Sequence, residues 1–123
     1  MLSEIERGQM AQAVVQVMDS WHIATTDQRD LLGLTAREAH WLNRWRMGDA
    51  LPLEGEIIPR VRALLAIQHA LETTFPHNSA VVAYWVTTEN PYFSQQTPLA
   101  AMLEGGLPTM HALCDHLNGV ISW

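Results

Sequence analysis

DQRDLLGLTAREAHWLNRWRM, residues 27–47, is the stretch on which the reading of the fold turns. Thr26 stands before it as an N-cap, and residues 27–32 make a short helix that stops at Gly33. Thr35 and Glu38 are spaced as a capping box, in which hydroxyl and carboxylate each accept from an amide the helix start leaves unpaired. The box opens a second helix over 36–47. A short helix, a glycine turn and a capped helix are the layout of a helix-turn-helix. On the second helix Ala39, Leu42 and Trp45 share one side and can pack on Leu31, Leu32 and Leu34. Arg37, His40 and Arg44, three and four residues apart, project from the other side with Asn43 beside them. Trp41 lies at the boundary, and Arg29 adds a cation from the preceding helix. A row of donors like this can enter a major groove and reach phosphates and base edges. Arg29, Arg37, His40, Trp41, Asn43 and Arg44 are therefore the candidate DNA contacts. The same pattern also suits a plain αα-corner whose arginines only solvate its surface.

Working outward, the punctuation stays helical. Ser3 with Glu6 is another capping box, and Met10, Val14, Val17, Met18 and Trp21 recur at helical spacing, predicting a helix over 4–21. Residues 49–56, with Pro52 and Gly55, read as a hinge. Pro59 suits the first turn of a long helix whose stripe is Val61, Leu64, Leu65, Ile67, Leu71 and Phe75, ended by Pro76. A shorter helix over about 79–87 buries Val82, Trp85 and Val86. Asn90-Pro91 starts a turn, and Thr97-Pro98 is an N-cap with proline at the first helical position. That helix closes at Gly105-Gly106. Pro108 opens the last one, with Met110, Leu113, Cys114 and Leu117 inward and Asn118-Gly119 as its stop. No period-2 run interrupts this series, so the fold class is all-α. It divides into a helix-turn-helix region, 1–56, and a second small helical region, 57–123.

Charge is also unevenly placed, with its break after Arg62. The 123 residues carry a formal charge of −6, which argues against coating nucleic acid or anionic membrane by bulk charge. All seven basic residues are arginines, and all lie between Arg7 and Arg62. Beyond Arg62 stand only Glu72, Glu89, Glu104 and Asp115, so the halves suit different partners. Residues 29–46 reverse the sign, with four arginines against Asp30 and Glu38. Cys114 is the single cysteine, which excludes an intrachain disulfide and fits a reducing cytoplasm. The apolar stretch from Ala13 to Met18 follows Glu4 and Glu6 and is too short for a membrane span. A soluble cytoplasmic protein is expected.

Catalytic signatures are weak. His111, Cys114 and His116 are the one compact set of metal-ligand types, but on a helix 116 points away from 111 and 114, and Cys114 lies on the apolar stripe. No serine, cysteine or lysine has an activating neighbour, and no glycine-rich phosphate loop occurs. Neither an enzyme nor a cofactor or metal site is expected.

Three blocks in the second half carry a resemblance: LLAIQHALETTFP at 64–76, NPYFSQQTPLAAMLEGGL at 90–107 and HALCDHLNG at 111–119. In residues and spacing they resemble the toxin-binding domain of the Xre/MbcA/ParS antitoxin family, and residues 10–62 resemble the Xre-like helix-turn-helix that precedes it in many members. The resemblance implies an antitoxin of a type II toxin–antitoxin pair, often dimeric. Its C-terminal domain would occlude the active site of a RES-domain toxin that degrades NAD, and its N-terminal part would bind and repress its own promoter. Carried onto this chain, the toxin-facing candidates are Asn90, Pro91, Phe93, Gln95, Gln96, Thr97, Pro98, Leu99 and Trp123, with the last helix and its tail; the recognition helix is 36–47. The chain departs from the pattern between Phe93 and Thr97. There the family has glycines and a basic residue, and here stand Ser94, Gln95 and Gln96. Pro91, Thr97 and Pro98 also have a purely structural reading as turn and cap residues. A transcriptional regulator without a toxin, its second half serving dimerisation, and a helical adaptor are the competing readings.

Overall fold

α4 is the helix around which the others assemble. In the computed structural model, which describes residues 1–121 and side chains through 119, it spans Ile57–Thr74. Before it come α1 (Glu4–Ser20), α2 (Thr25–Leu31), a single 3-10 turn (Ala36–Glu38) and α3 (Trp41–Arg46). After it come α5 (Ser79–Val86), a second 3-10 turn (Pro91–Phe93), α6 (Pro98–Gly105) and α7 (Leu107–Ile121). The described residues hold no strand, and the all-α fold is as read from the sequence. α7 lies along α4 and packs on α6, and α1 packs on α4 and also carries α3. α2 meets α6, and α5 leans on α4 and α6.

One buried core runs through both regions. α1 contributes Val14, Val15, Met18 and Trp21, the α2–α3 segment Leu31, Leu32, Leu42 and Trp45, α4 its Val61, Leu64, Ile67 and Leu71 stripe, and α7 Met110, Leu113 and Leu117. Trp21 is fully buried, and its indole N–H donates to Gln68 Oε1 on α4 at 2.6 Å, giving the one polar atom of the ring a partner. Gln28 is the buried polar side chain, and its amide donates to Asp19 Oδ1 at 2.8 Å and to the Ile23 carbonyl at 3.0 Å. α1 and the end of α3 touch backbone to backbone: a Cβ on Gly8 would stand 2.5 Å from the Gly48 carbonyl oxygen.

Local signals placed most helix starts. The Ser3–Glu6 capping box is formed in both directions, Asn78 caps α5, and Thr97 caps α6 with Pro98 at the first position. Three expectations are corrected. α2 begins at Thr25 behind Ala24, so Thr26 lies inside the helix and does not cap it. The Thr35–Glu38 box forms, yet it caps a single 3-10 turn instead of a helix running to residue 47. α7 continues past Asn118-Gly119 to Ile121, because Gly119 does not adopt the positive φ by which a glycine ends a helix.

Candidate functional site

The segment 36–47, expected as one continuous helix, is interrupted at its centre. After the 3-10 turn, Ala39 and His40 form a turn, and α3 holds only Trp41–Arg46. His40 Nδ1 lies 2.8 Å from the Arg37 carbonyl, the acceptor that the Trp41 amide would use in an unbroken α-helix. A carbonyl only accepts, so Nδ1 carries the proton there. Backbone bonds reach three residues back, from Ala39 to Ala36 and from Leu42 to Ala39, which tightens the path. Arg37 and Arg44 therefore do not line one straight helix.

The arginines of this segment are mostly engaged. Arg44 Nε lies 2.8 Å from Asp49 Oδ2, and Arg29 Nε lies 3.0 Å from Asp30 Oδ1. Arg46 grips both oxygens of Asp19 at 2.9 and 3.1 Å and donates to Asn43 Oδ1 at 3.3 Å. Burial pushes the Asp19 carboxyl up, but hydrogen bonds from Gln28 and Arg46 and the Arg46 charge outweigh it and hold the group below its ordinary value. Arg37 is exposed and has no side-chain partner among the described residues. Trp41 is half-buried with its ring 6.0 Å from that of Trp45, which is core as expected.

A second surface is built on the loop between α5 and α6. Asn90 is extended and its side chain accepts from the Tyr92 amide at 2.9 Å, which starts the 3-10 turn at Pro91. The chain then takes two consecutive left-handed residues, Ser94 at φ 56° and Gln95 at φ 70°, neither of them glycine. The loop is closed by Gln96 N–H to the Phe93 carbonyl and Asn90 N–H to the Gln96 carbonyl, both at 3.0 Å. Gln96 Nε2 donates to Glu104 at 2.9 Å, and Thr97 Oγ1 accepts from Ala100 at 2.9 Å. Left-handed non-glycine residues are strained, and they persist only where surrounding bonds over-determine the loop.

The loop sorts its residues. Asn90, Thr97 and Pro98 serve turn and cap, and Phe93 and Leu99 pack partly against the core. Ser94 and Gln95 are exposed. The sequence did not single out Tyr92, and it offered His116 only as a metal-ligand type and as part of the last helix. Tyr92, half exposed, stacks on the His116 ring of α7 with centroids 3.8 Å apart and meets Phe93 edge-on at 4.8 Å. The available signal was a tyrosine beside Phe93 in an otherwise polar loop; the histidine, far along the chain, gave none. Trp123 lies outside the described residues.

Cys114 is half-buried with Sγ 3.5 Å from the Ala63 carbonyl, and burial, helped by Asp115, pushes its thiol up. His111 is exposed on the same helix, and no group of three or more His, Cys, Asp or Glu among the described residues is placed to hold a metal. None of the described helices is long and apolar enough to cross a membrane. No family model and no curated protein matches the chain.

Proposed function

We propose that this chain is an antitoxin. It neutralises a partner toxin, of the RES-domain, NAD-degrading type, through the surface made by the 90–97 loop, Tyr92 and the outer face of α7. The observation that carries the reading is the pair of left-handed residues at 94 and 95. Glycines occupy this stretch in the Xre/MbcA/ParS domain that the sequence resembles, and the backbone here keeps a glycine-type path although the residues are Ser94 and Gln95. Retaining a strained path without the residue that relieves it fits a loop shaped to meet something. Charge supports the same partner class: no basic residue stands beyond Arg62, so this face suits a basic rim around an active site. Operator binding and repression, as a homodimer, are the second activity. With Arg29, Arg44 and Arg46 already paired, Arg37 is the cation of this segment best placed to take a phosphate without first giving up a carboxylate.

The test is co-expression with the product of the neighbouring reading frame. A neighbour that stops growth alone, is harmless with this chain and co-purifies with it supports the antitoxin; replacing Tyr92 and Gln95 together by alanine should then break the complex. A harmless neighbour that does not bind would overturn the reading and leave a DNA-binding regulator.

A further inference from the structure

Three arginines are partly buried: Arg7, Arg29 and Arg60. Arg29 has Asp30 and Arg60 has Glu56, whereas Arg7 has no carboxylate partner among the described residues. Its Nη1 donates to the Leu51 carbonyl at 2.7 Å, and its Nε is buried without an acceptor. A guanidinium partly withdrawn from water and left without an anion is an unfavourable arrangement on its own. It lines a cleft of about 210 Å3 between α1, α3 and the 49–52 segment, together with Trp41, Trp45, Arg44, Asp49 and Leu51. The Arg44 charge is met by Asp49, so the unmatched charge of this cleft belongs to Arg7.

We propose that the cleft binds a small planar aromatic carboxylate, its ring against the half-buried Trp41 indole and its carboxylate on the Arg7 guanidinium. Each part of the ligand follows from a part of the cleft. The fork of a guanidinium matches a carboxylate in shape and charge, and the Trp41 indole favours a flat ring. Size sets the scale: an apolar cavity of about 150 Å3 takes benzene, and the volume here leaves room for a carboxylate as well. The site uses neither the 90–97 loop nor Arg37, so it stands or falls apart from the toxin and operator readings.

Benzoate is the probe, with benzamide as its neutral isostere and acetate as the ring-less anion. Titrated into 15N-labelled full-length protein, benzoate should shift the Trp41 and Trp45 indole N–H resonances saturably, with a Kd of about 1 mM. Benzamide and acetate should bind at least about tenfold more weakly, and Arg7→Gln should weaken benzoate by a similar factor while Arg7→Lys keeps part of the affinity. Equal binding of benzoate and benzamide, unaltered binding to Arg7→Gln, or no saturable shift by about 10 mM would each overturn the proposal. If Arg7→Gln does not fold, the comparison of benzoate with benzamide on the wild-type protein decides alone.

Discussion

At the scale of single residues, close approach and paired charge set the sensitive positions. Gly8 has no room for a methyl group, because the atom in the way is the Gly48 carbonyl oxygen and backbone cannot swing aside. Gly8→Ala should therefore cost about 1–3 kcal/mol and lower the thermal midpoint by several degrees. Gly119→Ala, where nothing lies within 4 Å, is the control and should be neutral or slightly stabilising. Asp19 makes a pH prediction. Its folded carboxyl sits below its ordinary value, so its contribution is present above the unfolded pKa of about 3.9 and is lost as pH falls through the folded one. Asp19→Asn should be less stable than wild type at neutral pH, and the gap in urea midpoint should close in acid. A gap that held constant from pH 7 to pH 2 would show that the charge on Asp19 contributes nothing. The Arg46 pair is about half exposed, so the difference at pH 7 stays small.

At the scale of elements, the 90–97 loop and the broken 36–46 segment behave oppositely. The loop is over-determined by its backbone bonds, its Asn90 turn and its Thr97 cap, and strain is concentrated at two residues. Gln95→Gly should relieve that strain and raise stability by roughly 0.5–1 kcal/mol, read from chemical denaturation. A loss of stability would mean that the Gln95 side chain supports the loop in a way its exposure does not suggest. Segment 36–46 instead lacks helical continuity, and at the break the His40 side chain occupies the Arg37 carbonyl. Capping boxes, Asx turns and proline positions were legible in the sequence because each partner lies within four residues of the other. The break at 39–40 was not, since apolar and basic spacing looks the same along a 3-10 path of this length as along an α-helix.

At the scale of the whole molecule, the residue 56/57 boundary divides neither the charge, since Arg60 and Arg62 lie beyond it, nor the core. Val14, Met18 and Trp21 of α1 are buried in one cluster with Leu64, Ile67 and Leu71 of α4, and Trp21 is tied to Gln68. Arg60 joins the two regions again, donating from Nη1 to the Leu31 carbonyl at 3.0 Å. Its guanidinium also lies close to Gly106, where a Cβ would come within 3.3 Å of Nη2. Residues 57–123 produced alone should therefore lack the near-ultraviolet dichroism of fixed aromatic packing and should recover it when residues 1–56 are added. A cooperatively folded fragment would show that the second region needs nothing from α1.

By itself the sequence determined the all-α class, the positions of most helix ends and the inward stripes of α4 and α7, because caps, prolines and 3.6-residue spacing act over one or two turns. It also determined that every cation lies in the first half of the chain. Only the tertiary structure decided which of those cations are already paired, that Tyr92 rests on His116, and that Arg7 shares a cleft with Trp41 and Trp45 while having no carboxylate partner among the described residues. These are meetings of residues far apart along the chain. Their geometry follows from how helices pack around α4, and no local pattern encodes it.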